Sequence, residues 1–133
     1  MLIKNSVLKK FLPYGKQAID QDDVDAVVDV LTSDFLTQGP KVAQFENDFK
    51  VKVGVNYAVA VSNGTAALHL SLIALGIGPG DEVITTPNSF LATSNAILYV
   101  GATPVFVDIE LDQFGIDPDK IEAAITTNTK AIT

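Results

Sequence analysis

The sequence contains no cysteine, and none of its apolar runs is long. Without cysteine the chain has no disulfide, no thiolate zinc site and no cysteine nucleophile. Gly, Pro and Asp interrupt the apolar runs before they reach the roughly 18–20 residues that a membrane span needs. The first residues also lack the apolar core and cleavage pattern of a signal peptide. We therefore expect a cytoplasmic protein that does not enter a membrane.

The chain also contains no arginine, because all nine of its basic residues are lysines. Its formal net charge of −7 opposes binding to phosphate backbones, so nucleic acid is not an expected partner. A protein without guanidinium groups must bind phosphate or carboxylate through backbone N–H groups, hydroxyls and lysine, or through residues supplied from elsewhere.

The 133 residues are 47% hydrophobic, which predicts one compact unit with an ordinary core. The first part is typical of two helices joined by a loop. Asp20 is a candidate N-cap for the first helix, whose apolar stripe consists of Val24, Val27, Val28 and Leu31. Pro40 opens the second helix and Gly54 follows its end, and its inward-facing residues are Val42, Phe45 and Phe49.

From Tyr57 onward, short β-prone runs alternate with helical stretches. The predicted strands are YAVAV, DEVITT, PVFVDI and KAIT, and Gly76 and Gly101 end two of the helices between them. This βαβα alternation predicts an α/β fold with a mostly parallel sheet and helices on both faces. KAIT begins a strand that stops at Thr133, so we expect this chain to be part of a larger protein.

Two stretches at the carboxyl ends of the predicted strands are candidate binding loops. In SNGT, Asn63 and Gly64 can turn the chain sharply, so that the N–H groups of Thr65 and Ala66 point at an anion. The same residues are equally consistent with a simple helix cap. In TTPNSF, Phe90 is placed either to stack on a flat cofactor or to join the core.

Other polar residues do not form a recognisable site. Asp108, Glu110 and Asp112 lack the ligand order of a calcium loop, so we expect a solvated acidic loop and no metal site. His69, within an apolar helix, is typical of a packed or surface histidine rather than a catalytic one.

The order of motifs from Leu12 to Thr133 resembles the N-terminal part of the DegT family of pyridoxal 5'-phosphate (PLP) sugar aminotransferases. The resemblance lies in PYGKQAID, SDFLTQGPKVAQFENDF, the stretch from YAVAV to PVFVDI, and IDPDKIEAAIT. It implies part of the large domain of a fold-type I, aspartate aminotransferase-like enzyme, with residues 1–12 as an N-terminal extension and residues 13–133 as an incomplete large domain.

The resemblance also implies roles for individual residues. The expected PLP contacts are Gly64, Thr65 and Ala66 at the phosphate and Phe90 on the pyridine ring. The expected substrate contacts are Thr37, Gly39 and Tyr14. The Schiff-base lysine of the family lies beyond Thr133, and no lysine of this chain occupies its motif, so no catalytic residue is assigned.

The implied parent enzyme is a homodimer that moves an amino group from glutamate to a UDP-linked 4-keto-deoxysugar, most similar to the aminotransferases of pseudaminic acid biosynthesis. The 133 residues alone are expected to be inactive. Two alternatives remain open at this point: a PLP-dependent sugar dehydratase of the same family, in which histidine replaces the lysine, and a non-catalytic phosphate-binding α/β module.

Overall fold

A computed structural model describes residues 13–133 of the chain. The predicted N-terminal extension, residues 1–12, lies outside the described residues. The chain divides after Val59 into two compact units. The first consists of helices and the second of a sheet with helices, and each is described below by itself.

The first unit contains α1 (Gln21–Leu31) and α2 (Pro40–Val53), where the sequence predicts helices. Asp20 begins α1 with a reciprocal cap: its side chain accepts from the Asp23 N–H at 3.2 Å, and the Asp23 side chain accepts from the Asp20 N–H at 3.1 Å. Pro40 occupies the start of α2, and Gly54 ends it with a left-handed φ of 72°. The predicted helix boundaries are confirmed.

The apolar faces of α1 and α2 are not covered. Neither helix has a buried residue, so the prediction that Val42, Phe45 and Phe49 face inward is wrong. The rings of Phe45 and Phe49 lie 6.1 Å apart and contact each other instead. A helical stripe predicts that a face is apolar, but burial also requires a second layer, and the described residues supply none here.

The second unit is a parallel sheet with helices. Its elements are α3 (Gly64–Ala74), β1 (Glu82–Thr85), α4 (Leu91–Tyr99), β2 (Thr103–Phe106), α5 (Pro118–Ala124) and β3 (Thr129–Ile132). The strand order is β2-β1-β3, and β1 pairs in parallel with both neighbours. The carboxyl ends of the strands therefore meet at one edge, as the α/β alternation predicts. No described helix is both long and apolar enough to cross a membrane.

The prediction that YAVAV forms the first strand is wrong. Residues 57–61 are outside the sheet, and Tyr57 and Val59 are 88% and 79% exposed. A β-prone sequence becomes a strand only when a neighbouring backbone pairs with it, and within residues 13–133 no strand pairs with this segment. The boundary between the two units also lies within it.

The core of the second unit lies between the sheet and the helix pair α3 and α4. Its buried members are Leu72, Ile77, Val83, Ala96, Ile97 and Ala102. Gly76 and Gly101 end these helices with φ of 71° and 77°, which is the left-handed conformation that glycine adopts without strain. At Gly101 a Cβ would also lie 3.1 Å from Pro79 Cγ, so both the backbone conformation and the neighbouring proline favour glycine at this position.

Thr85, at the carboxyl end of β1, is fully buried, and its Oγ1 has no hydrogen-bond partner in the described part of the chain. A buried hydroxyl without a partner costs about 1–3 kcal/mol. We therefore expect Thr85→Val to raise the free energy of unfolding by about 1–2 kcal/mol, because valine keeps the shape and removes the hydroxyl. Urea unfolding measures this change.

Thr103→Val is the matched control, because Thr103 is an exposed strand residue on β2. This control should change the unfolding free energy by less than about 0.5 kcal/mol. A loss of stability in Thr85→Val beyond that of the control would contradict the prediction, and would mean that the hydroxyl has a partner such as a buried water.

Candidate functional site

An open cleft of about 530 Å³ lies between the starts of α3 and α4. Its lining residues are Gly64, Thr65, Ala67, Leu68, Ser71, Phe90, Ala92 and Thr93. Three residues that the sequence nominates for the cofactor, Gly64, Thr65 and Phe90, therefore share one cleft. Its volume is within the roughly 300–1,000 Å³ of ligand sites in proteins.

The start of α3 is formed differently from the predicted sharp turn. Neither Asn63 nor Gly64 has a positive φ, since Asn63 is extended at φ −170° and Gly64 is the first helical residue. The turn is made by a side-chain cap, in which Asn63 Oδ1 accepts from the Ala66 N–H at 2.8 Å. The Ala66 N–H, which the sequence nominates as a donor to an anion, is therefore already bound to the Asn63 side chain. An anion must displace this side chain to reach it.

Two backbone donors remain at the start of α3. In the described residues, the N–H groups of Gly64 and Thr65 have no intramolecular acceptor, as is usual for the first turn of a helix. A Cβ built on Gly64 would meet no atom within 4 Å, so the absent side chain leaves space on the wall of the cleft. No acidic side chain lines the cleft. Neutral N–H donors, a hydroxyl on Thr65 and a helix N-terminus suit a phosphate group.

The wall opposite α3 carries an exposed aromatic ring. Phe90 is the N-cap residue of α4 and is 78% exposed, so it does not belong to the core. Its carbonyl accepts from the Thr93 N–H at 2.9 Å, and Ser89 Oγ lies 2.8 Å from Thr93 Oγ1. The sequence allowed two interpretations of Phe90, and the one that placed its side chain in the core is therefore wrong. The ring is available to a flat ligand in the cleft.

A hairpin-like segment, residues 108–117, lies beside this wall; we call it the acidic loop. Its backbone is closed by the Asp117 N–H donating to the Asp108 carbonyl at 2.9 Å and the Glu110 N–H donating to the Gly115 carbonyl at 3.0 Å. Asn88 Nδ2 donates to the carbonyl of Phe114 at 2.9 Å and so joins the acidic loop to the segment that carries Phe90. Sequence reasoning missed this contact, because no local pattern relates positions 26 residues apart.

The base of the acidic loop carries an ion-pair cluster. Lys120 Nζ lies 3.1 Å from Asp117 Oδ2 and 3.6 Å from Asp108 Oδ2. The Ile109 N–H and then Lys120 lower the pKa of Asp108, and the hydrogen bond to Asp117 raises the pKa of Lys120. Both groups are exposed and stay charged at neutral pH, so the cluster is a surface feature rather than an acid–base site. No described group of three or more His, Asp or Glu side chains is arranged to bind a metal ion.

The predicted substrate contacts belong to the first unit. Tyr14 is fully exposed, and Thr37 is in the loop between α1 and α2. Gly39 is the N-cap of α2, and a Cβ there would lie 2.8 Å from Phe35 Cβ, so only glycine fits. Their role in substrate binding remains a prediction. In the second unit, half-buried His69 contacts the Tyr99 ring edge-on at 5.4 Å, in line with a packed histidine.

Comparison with known proteins gives consistent likenesses. The family model described as DegT/DnrJ/EryC1/StrS aminotransferase family matches residues 17–133. The chain is 52% identical over 122 residues to the spore coat polysaccharide biosynthesis protein SpsC of Bacillus subtilis (strain 168), over 92% of this chain and 31% of that protein.

Two solved structures extend the comparison to three dimensions. A sugar aminotransferase of Streptococcus pneumoniae in its PLP form matches 91% of this chain with a TM-score of 0.84 and 40% identity, over 31% of its own length. NtdA of Bacillus subtilis with bound cofactor PMP matches 86% of this chain with a TM-score of 0.78 and 46% identity, over 27% of its own length.

These likenesses confirm the predicted fold class. The parallel sheet flanked by helices is the fold of PLP-dependent aminotransferases, and the match covers part of the larger domain. The chain spans about 31% of the length of SpsC, which is one of the curated relatives that it matches.

Proposed function

The chain belongs to the DegT/DnrJ/EryC1/StrS aminotransferase family, and on that premise we propose that its second unit provides the phosphate-binding side of a PLP site in a sugar aminotransferase. The observation that carries the proposal is the cleft that brings Gly64, Thr65 and Phe90 together. The donor set and the space beside Gly64 fit the cofactor without an arginine.

Each of these residues has a defined part in the proposal. The N–H groups of Gly64 and Thr65, with the Thr65 hydroxyl, donate to the phosphate at the positive end of α3. The Ala66 N–H joins them when Asn63 releases it. Phe90 covers one face of the pyridine ring and excludes water from it. When bound, PLP supplies the electron sink and the transient carrier of the amino group.

The identity of the substrates is proposed and does not follow from the fold. We assign glutamate as amino donor and a UDP-linked 4-keto-deoxysugar as acceptor, in polysaccharide or pseudaminic acid biosynthesis. Family membership and a relative named for spore coat polysaccharide biosynthesis support this assignment. Thr37, Gly39 and Tyr14 are proposed to contact the sugar nucleotide. The homodimer and the cytoplasmic location remain predictions.

The catalytic lysine is proposed to lie outside these 133 residues, which then form an incomplete large domain. We assign the role to none of the lysines of this chain. Residues 1–133 are therefore expected to bind PLP weakly and to transfer no amino group, whereas the full-length protein is expected to bind PLP and to transfer the amino group.

The test compares the two polypeptides with PLP, glutamate and a UDP-4-keto-deoxysugar. Visible absorption measures cofactor binding, and 2-oxoglutarate measures transfer. The full-length protein should develop the absorption of bound cofactor. It should release 2-oxoglutarate beyond a single turnover only when the keto sugar is present, because the sugar takes the amino group from the cofactor and so permits the next turnover. Cofactor binding with loss of water from the sugar instead of transfer would indicate the dehydratase, and absence of cofactor binding would indicate the non-catalytic module. Transfer by residues 1–133 alone would contradict the placement of the lysine.

A further inference from the structure

The segment that carries Phe90, residues 86–90, has little packing of its own. Residues 87–90 are all exposed, and only Thr86 is half-buried. Its local hydrogen bonds stay within a few residues: the Asn88 N–H donates to Thr86 Oγ1 at 3.4 Å, and Ser89 bonds to Thr93. These bonds shape the segment and join its end to the first turn of α4, but they do not attach it to any other element of the unit. Such exposed segments with few contacts are the first to move.

One hydrogen bond gives the segment an external attachment. Asn88 Nδ2 donates to the carbonyl of Phe114 at 2.9 Å, across 26 residues of sequence. Among the described side chains of residues 86–90, no other hydrogen bond reaches beyond α4. The position of the Phe90 ring over the cleft therefore depends on the acidic loop as well as on the first turn of α4.

The acidic loop is stiff enough to serve as an anchor. Backbone bonds close it at both ends, Ile109 and Ile116 form a bridge, and Lys120 links its two terminal aspartates. Phe114 has a left-handed φ of 59°, which is unfavourable for a residue other than glycine. The surrounding bonds maintain this conformation, and it directs the Phe114 carbonyl to Asn88.

We propose that Asn88 is a positioning residue that fixes the Phe90 ring at the cofactor cleft by anchoring its segment to the acidic loop. The inference rests on the proposed function, in which Phe90 stacks on PLP. Stacking needs a ring at a set distance and angle, whereas the phosphate contacts at the start of α3 do not involve residues 86–90. Replacement of Asn88 should therefore weaken the binding of the pyridine ring of PLP and leave the binding of its phosphate unchanged.

The central variant is Asn88→Asp in the full-length protein, because aspartate has the shape of asparagine but cannot donate to a carbonyl. We expect the Kd for PLP to rise about tenfold, and the inhibition constant of inorganic phosphate as a competitor to stay within about twofold of the wild-type value. Asn128→Asp makes the same change at the amino end of β3, where the side chain is exposed. This control should leave both constants unchanged.

Variants at Phe114 test whether its backbone carbonyl, rather than its side-chain ring, holds Asn88. Phe114→Gly keeps the carbonyl and favours the left-handed φ, so PLP affinity should stay at the wild-type value. Phe114→Val disfavours that φ and should move the carbonyl, so it should reproduce the loss seen in Asn88→Asp. Phe90→Ala already lacks the ring, and Asn88→Asp in that background should cause no further loss of PLP affinity.

Three results would overturn the inference and leave the proposed function intact. These are wild-type PLP affinity in Asn88→Asp, equal losses of PLP and inorganic phosphate, and an additive loss in the double variant with Phe90→Ala. Failure of the wild-type full-length protein to bind PLP would overturn the proposed function and the inference together.

Discussion

Replacement of Gly64 by valine is expected to lower the affinity of the full-length protein for PLP by at least about 100-fold. A side chain at this position enters the space on the cleft wall where no atom lies within 4 Å of a built Cβ. The valine then blocks the approach of a phosphate to the N–H groups of Gly64 and Thr65. Each hydrogen bond to a charged group contributes about 1.5–3 kcal/mol, so the loss of two accounts for the expected factor. Titration of PLP with detection of its absorption measures the affinity.

The fold should survive this change. Gly64 does not have a positive φ and is the first residue of α3, so valine adopts the same backbone conformation. Gly64→Ala should give a smaller loss of about tenfold, because it adds only one carbon. Gly78→Ala, before the amino end of β1, is the matched control and should not change the affinity, since its Cβ would contact only the Val100 carbonyl at 3.8 Å. Unchanged PLP affinity in Gly64→Val would exclude the start of α3 as the phosphate site.

Replacement of Phe90 by alanine is expected to lower PLP affinity about 10–30-fold and to leave the stability of the apoprotein nearly unchanged. The ring is 78% exposed, so its removal leaves no core cavity. The expected factor is about 1.5–2 kcal/mol, which corresponds to a stacking contact together with the apolar area that it buries against the ligand. Equilibrium titration and thermal unfolding of the apoprotein measure the two quantities.

Phe90→Tyr should retain most of the affinity, because tyrosine presents a similar face. Tyr99→Ala removes an aromatic side chain from the other end of α4 and serves as the control. It should lose the edge contact with His69 and some stability but bind PLP normally. A Phe90→Ala variant that binds PLP as tightly as the wild type would show that the ring does not stack on the cofactor.

The parts of the fold that depend on local chemistry were predictable from the sequence. Asp20, Pro40, Gly54, Gly76 and Gly101 begin and end their helices where expected, because caps and left-handed glycines act within a few residues. The segment 57–61 was not predictable in the same way. Its β-prone residues show which side chains suit a strand, but its pairing depends on a backbone that is distant in the chain.

The sequence nominated three residues that line the cleft, Gly64, Thr65 and Phe90, but it did not predict the geometry of the cleft. The predicted alternation of strands and helices placed the starts of α3 and α4 at one edge of a sheet, and this nominated Gly64 and Phe90. The cleft contains both residues although the segment before α3 is not a strand. The way in which the chain turns at Asn63 could not be predicted, because an asparagine before glycine suits either a positive φ or a side-chain cap. The contact between Asn88 and Phe114 has no sequence signal, since a side-chain bond to a backbone carbonyl imposes no pattern on the residue that accepts it.

The asparagine cap has a consequence for how the protein exchanges its cofactor. Because Asn63 satisfies the Ala66 N–H, α3 has its first turn stabilised by the chain itself and does not need an anion in order to fold. Loss of PLP should therefore leave α3 formed, and rebinding should need no refolding of this helix. Cofactor removal by dialysis and its later return should therefore restore the same protein.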